Sequence, residues 1–429
     1  VRRHGARRLG CVLYADLVSL PQPILPRRVF ASLFSVSAAG AIGLTGMQSV
    51  LPAIAREIGI PDVEMVLIFS LSSLLWAASS PFWAREADRR GQKPLIILGE
   101  LSLGVSMLLC GLAVLLGAHR WIGPTAVFVM LLFSRALFGL VGAAAPPATQ
   151  AFVAHRTSRA DRTRAVALLA GAFGLGTIIG PAVAPLFVLP FVGLAGPLFA
   201  FGIAGMVMVV VAARVLPPTP PRPARALDAD ETPAPAAVNL WFDRRLAPFL
   251  LFGFLGASCQ SMMGQVLGFM IIDRMQMPPL QAQGFTAVAM MAGATGALLA
   301  QWGFIQMFRL TPRQLMQIGP AAAAAGSLLV AFAPTYPLVV AGYAVACIGV
   351  GMLRPGFTAG ASLSVHPSEQ ARAAGAMTAS TGVSTLFAPV VGILLYHWLH
   401  PAPYVLTAVV LAGLAVFALK HPTLRGSAA

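Results

Sequence analysis

Ala84-Arg85-Glu86-Ala87-Asp88-Arg89-Arg90-Gly91-Gln92-Lys93-Pro94 is a strongly charged stretch between two long apolar runs. Residues 63–83 carry one acid, Glu64, at their start, and residues 95–117 carry one, Glu100. Each run is long enough to cross a bilayer as a helix, which takes about 20 residues. The charged stretch must then lie at a membrane surface. Arg85, Arg89, Arg90 and Lys93 place it on the cytoplasmic side, because translocating clustered basic residues is disfavoured. Gly91 permits a tight reversal, and Pro94 suits the first turn of a helix. The stretch therefore predicts an antiparallel helical hairpin.

The rest of the chain extends this pattern. Hydrophobic residues make up 58% and charged residues 10% of 429, where a soluble domain carries about 25% charged residues. Twelve apolar spans are predicted near 30–54, 63–83, 95–117, 121–150, 165–187, 191–213, 246–272, 280–307, 314–334, 337–362, 373–396 and 403–419. Between the sixth and seventh, residues 216–245 are rich in proline and acids, which predicts a solvated linker. The expected organisation is an N-terminal tail (1–29), a six-helix half (30–215), the linker (216–245), a second six-helix half (246–419) and a C-terminal tail (420–429). With both termini inside, inner loops and tails hold 24 of the 29 Lys and Arg, and outer loops hold Arg56, Arg120 and Arg274. That bias predicts cytoplasmic tails and a cytoplasmic linker.

The net charge of +15 does not imply nucleic acid. The basic residues are spread through loops, with no aromatic interleaving. Cys11, Cys110, Cys259 and Cys347 are far apart, without metal or disulfide spacing. No phosphate-binding glycine motif occurs, so ATP drive is unsupported. No catalytic residues, metal or cofactor are expected, and the fold class is all-α and integral to the membrane.

The halves repeat. A shift of 208 carries residues 146–187 onto 354–395 without a gap. Pro147 then meets Pro355, Gly174 meets Gly382, Thr177 meets Thr385 and Pro181 meets Pro389. Trp83-Ala84 similarly matches Trp302-Gly303, but no acid follows before Arg313, so an acid like Asp88 occurs at this place in the first half alone. A pseudo-symmetric pair of halves places a substrate site between them near mid-membrane.

Asp88-Arg89-Arg90-Gly91-Gln92-Lys93 resembles the loop between helices 2 and 3 of the major facilitator superfamily of transporters. It departs at Ala84, where glycine is usual, and at Gln92, where arginine is usual. The resemblance covers roughly residues 30–419. It implies that Asp88, with Arg89, Gly91 and Lys93, forms a cytoplasmic latch holding the outward-facing state; a solvated topology loop is the plain alternative. Arg135 and Gly139, inside the fourth span, resemble that family's fourth-helix motif, linked to proton coupling. The plain alternative is an arginine bonded to backbone carbonyls. Gly176, Gly180 and Pro181 are similar to the fifth-helix motif of the family's antiporters, although close packing alone would look the same. Residues 359–365 and 387–392 with Leu395-Tyr396 are similar, more loosely, to helices of bacterial siderophore and drug exporters.

Other residues stand out by chemistry. Gln48, Gln260 and Gln265 are polar groups in the first span of each half. They either line a cavity or bond neighbouring helices, and both readings stay open. Met262, Met263, Met290 and Met291 fit core packing, with an adaptable apolar pocket as the alternative. Glu100 could carry protons, snorkel, or sit neutral and buried. The first span, 30–55, contains no acid, although many proton-coupled drug exporters of the family have one there. Away from their edges the spans hold two cations, Arg135 and Arg354. A guanidinium within a span costs about 2.5–3.5 kcal/mol on insertion scales. A cargo with a carboxylate, met by Arg354 from the cytoplasmic side, would offset it; both arginines bonded to backbone carbonyls and bound water is the plain alternative.

The reading is a secondary transporter working by alternating access. It exports a small amphipathic molecule, siderophore-like or drug-like, with a coupling proton. Its setting is the bacterial inner membrane, its partners are the lipid bilayer and a small-molecule substrate, and it works as a monomer without nucleic acid. A proton-coupled metabolite importer is the alternative. A membrane-embedded enzyme or non-transporting sensor is the outsider.

Overall fold

The structure is a computed structural model. It describes residues 26–157, 159–218, 243, 245–366 and 369–421, and side chains within helices except those of 88, 154, 155, 159–164, 166, 167, 371 and 372. Most of the expected N-terminal tail, linker and C-terminal tail therefore lies outside the described residues.

The described residues include twelve helices long and apolar enough to cross a membrane. In chain order they are α1 (Arg27–Ile58), α2 (Asp62–Arg90), α3 (Gln92–Ala118), α4 (Pro124–Gly142) with its continuation α4′ (Ala145–Arg156), α5 (Arg159–Val183) and α6 (Ala195–Val215). The second half holds α7 (Ala247–Met275), α8 (Pro279–Leu298), α9 (Pro312–Phe332), α10 (Tyr336–Leu363), α11 (Gln370–Trp398) and α12 (Ala402–Lys420).

Local chemistry sets the boundaries. Gly59 ends α1 at φ 83°, its N–H donating to the Ala55 carbonyl. The stretch 84–94 proves helical except at Gly91, whose φ of 86° suits glycine alone, so the hairpin link is a single residue. The fourth span breaks at Ala143 and Ala144, just before Pro146 and Pro147, which lack N–H donors. At α9, Thr311 and Gln314 form a reciprocal capping box. The end of α8 loosens into a π turn, Leu299–Phe304. That turn contains Trp302-Gly303, the second-half counterpart of Trp83-Ala84.

The sequence repeat reappears as repeated packing. In the first half α1 packs on α5, α3 on α6 and α2 on α4; in the second, α7 packs on α11, α9 on α12 and α8 on α10. Between halves, α2 packs on α11 and α5 on α8, a pair that exchanges under the same repeat. Glycines permit these approaches. A Cβ on Gly176 would lie 2.6 Å from the Ala38 carbonyl oxygen, and one on Gly180 2.6 Å from that of Ile42, so α5 lies directly against the α1 backbone.

The apolar core is unequal at the two ends. At the end away from the linker, one cluster joins both halves, including Val50 and Ile54 of α1, Met65 of α2, Val266 and Met270 of α7, and Tyr396 of α11. At the linker end the clusters are separate. One holds Leu33, Leu95, Phe152 and Leu216 of the first half; the other holds Phe249, Met316, Phe357 and Leu414 of the second. The halves are sealed together at the far end and parted at the linker end. Large exposed apolar side chains such as Phe133, Phe191 and Val409 cover the outside, as a lipid-facing surface requires.

Candidate functional site

A cavity of about 190 Å³ lies at the linker end of α10 and α11. Arg354, Phe357 and Thr358 come from α10; Gln370, Met377 and Thr381 come from α11. Pro355 interrupts the α10 hydrogen-bond ladder beside Arg354. The Thr358 hydroxyl donates to the Arg354 carbonyl at 2.8 Å, further occupying local backbone. Among the described residues no carboxylate pairs with Arg354, and none lines the cavity. A guanidinium, hydroxyls and an amide thus face a pocket floored by a phenyl ring and a thioether. Such a lining offers a hydrogen-bond-donating cation beside apolar surface, a combination suited to an anionic head group.

Farther from the linker, Gln48 of α1 reaches across to α7. A Cβ on Gly264 would lie 3.4 Å from its amide nitrogen and 3.7 Å from the Tyr343 hydroxyl. Gln265 follows Gly264 and is half-buried; Gln260 is exposed. Gln48 and Gln265 thus meet the level where the halves close, while Gln260 lies toward the open end. Met262, Met263 and Met290 are buried in the core, the packing role expected for them.

Arg135 is 2% exposed and lies in the other half from the Arg354 cavity. Its guanidinium stands 4.6 Å from the Phe138 ring centroid and 5.4 Å from that of Phe69. Its Nε and Nη1 have no hydrogen-bond partner among the described residues. The carbonyl partners of the plain alternative are absent from those two nitrogens, and aromatic faces take their place. Gly139 has a separate reason to be glycine: a Cβ there would lie 2.5 Å from the Ser72 carbonyl oxygen, so it lets α4 touch α2.

Glu100 is 4% exposed, and its Oε2 has no partner among the described residues. Its side chain is enclosed rather than reaching the surface, so the snorkelling alternative does not hold. Lys93 donates to the Ala213 carbonyl at 2.7 Å, tying the start of α3 to the end of α6 within one half. Arg89 is exposed, and the Asp88 side chain lies outside the described residues.

Where the linker meets α7, Arg245 pairs with Asp243 at 2.8 Å and with Glu369 before α11 at 3.5 Å. Hydrogen bonds from Arg245 hold the Asp243 carboxyl below the usual carboxylate range.

Sequence reasoning missed one cluster. In the linear chain Arg56 counts only as an outer-loop orientation charge. At the far end the structure joins Arg56 to Asp62 and Asp273, and His397 to Asp62. The available signal was the position of each group at a helix end; which ends meet is not written in a linear pattern.

Comparison with known proteins agrees with the architecture. The Major Facilitator Superfamily model matches residues 33–309 and 302–427. The multidrug resistance protein MdtG of Escherichia coli is 30% identical over 173 residues, 40% of this chain. The match spans only 34% of that relative's length. A bacterial homologue of the human lysosomal transporter Spinster, solved inward-facing and unoccupied, superposes with a TM-score of 0.72 at 15% identity, covering 94% of this chain and 99% of that one. The human organic anion transporter MFSD10 gives 0.62 at 17%, covering 92% and 100%. The fold is that of membrane transporters rather than enzymes, and the chain belongs to the Major Facilitator Superfamily.

Proposed function

We propose that this protein is a secondary active exporter of the bacterial inner membrane, moving a small amphipathic molecule with an anionic group by alternating access. One observation carries the reading: a single apolar core seals both halves at the far end, while the linker ends have separate cores. A two-half molecule closed at one end and open at the other is one state of an alternating-access cycle. The excess of basic residues supports a cytoplasmic open end, from which the cavity would load cargo. The partial match to a multidrug resistance protein supports export. An ion gradient, a proton gradient in the first instance, would supply the drive.

The cavity supports the cargo class. Arg354 can bind a carboxylate through two parallel hydrogen bonds. At about 190 Å³, the pocket is smaller than a whole-ligand site of about 300–1,000 Å³, so it would hold the head group while the body lies in the open cleft. The test is a transport panel of anionic, neutral and cationic amphiphiles in energised inside-out vesicles. Wild type should accumulate the anions best. Arg354→Gln should lower anion transport about tenfold, the scale of one charged hydrogen-bond pair, and Arg354→Lys should retain part of it. Cationic dyes as the best substrates, or normal anion transport by Arg354→Gln, would sink the cargo class.

A further inference from the structure

Four helix ends from both halves meet at the far end. Arg56 closes α1, Asp62 opens α2, Asp273 lies in the last turn of α7 and His397 in the last turn of α11. Arg56 Nη2 donates to Asp62 Oδ2 and to Asp273 Oδ2, each at 2.9 Å. His397 Nε2 stands 3.3 Å from Asp62 Oδ2. The Tyr396 hydroxyl donates to Asp273 at 2.8 Å. The Arg56–Asp273 and Asp62–His397 contacts cross between halves, and each half supplies one acid and one base. The Asp62 side chain is 4% exposed and that of His397 50%, so the pair links a buried carboxylate to the far-side solution.

The charges do not balance without a proton. Two carboxylates share one guanidinium, leaving a surplus negative charge while His397 is neutral. A proton on its imidazole neutralises the group and makes the contact to Asp62 an ion pair. Neighbouring groups do not take this role. Arg274 is engaged by the carbonyls of Val330, Ala331 and Ala333. His400 meets the Tyr396 ring edge-on, centroids 4.9 Å apart. Glu57 and Glu64, on α1 and α2, and Arg120, on the α3–α4 turn, form no ion pair among the described residues.

We propose that Arg56, Asp62, Asp273 and His397 are the far-side gate, and that a proton taken by His397 from the far-side solution holds it shut. The Asp62–His397 contact requires the halves to be together, so proton binding and closure favour each other by linkage. Of the four groups His397 is the most exposed to the far-side solution, and histidine is the common proton-accepting switch. An acidic exterior would drive the return to the state open at the linker end. Arg56 and Asp273 supply the pH-independent strength of the gate, and His397 with Asp62 the pH-dependent part.

This rests on the transporter reading, so the test uses accessibility and needs no substrate. The full chain, with its four cysteines replaced, carries Gln48→Cys, about 12 Å below Arg56 along α1. Right-side-out vesicles are treated with an impermeant maleimide between pH 5.5 and 8. Rates are normalised to Ala402→Cys, at the far-side start of α12, to remove the pH dependence of the thiol itself. Wild type should label about fivefold or more faster at pH 8 than at pH 5.5, the lower end of ordinary coupling. His397→Gln and Asp62→Asn should lose that dependence. Arg56→Gln and Asp273→Asn should label fast at both pH values. Flat labelling in wild type, retained pH dependence in His397→Gln, or slow labelling in Arg56→Gln would overturn the gate. A pH-gated wild type that moves no compound would keep the gate and remove the transport reading.

Discussion

Where α1 and α5 touch, the side chain that matters is the one that is missing. A Cβ on Gly180 would lie 2.5 Å from the Thr45 hydroxyl, 2.6 Å from the Ile42 carbonyl and 2.9 Å from the Gly46 nitrogen. These are mostly backbone atoms and cannot rotate aside. Gly180→Val should therefore force the helices apart and destabilise the fold by about 1–3 kcal/mol, the range for overpacking. Gly413, in α12, has nothing within 4 Å of its would-be Cβ. Gly413→Ala should be neutral or stabilising by about 0.4–1 kcal/mol. Thermal unfolding in detergent separates the two, and equal midpoints would refute the contact. The glycine spacing at 176 and 180 was legible in the chain. Its partner, the backbone of α1, was not, because close approach involves residues more than a hundred positions away.

Among the elements, the α2–α3 hairpin is the informative one. Its charged link was recognised from composition, but its shape was not. Both helices continue through it and leave Gly91 alone at the turn. A run of Arg, Glu, Ala and Lys is a good helix former, so the charges set the depth in the membrane without ending the helix. Here the linker ends are apart, and the hairpin is tied to its own half through Lys93. The proposed latch of Asp88 belongs to the opposite state, in which those ends close. An acid at the start of a neighbouring helix is worth about 0.3–1 kcal/mol, enough to shift a two-state balance severalfold. Asp88→Asn should therefore insert normally and transport several times more slowly. Wild-type rates from a correctly inserted variant would dismiss the latch.

At the scale of the whole molecule, the contact of α2 with α11 fixes how the halves sit. The Ala77 Cβ lies 3.9 Å from the position of a Cβ on Gly382, within the spacing a disulfide spans. Oxidising an Ala77→Cys/Gly382→Cys pair, in a background without the native cysteines, should cross-link the halves in this state. Transport should stop and return on reduction. A pair that forms no cross-link under oxidant would mean that this arrangement is not the resting one.

The amino-acid sequence by itself determined that the chain lies in a membrane, crosses it as twelve helices and is built as two repeated halves. Span length, charge placement and internal repetition are properties of the linear chain, and lipid leaves the backbone few alternatives to the helix. Only the tertiary structure decided which helix faces touch. It enclosed Arg135 against Phe69 and Phe138, buried Glu100, set Arg354 beside an open cavity, and brought Arg56 and Asp62 to Asp273 and His397. The physical reason is that helix association in lipid depends on side-chain packing and polar contacts between residues distant in the chain. Hydropathy reports how deep a residue lies, not what stands opposite it.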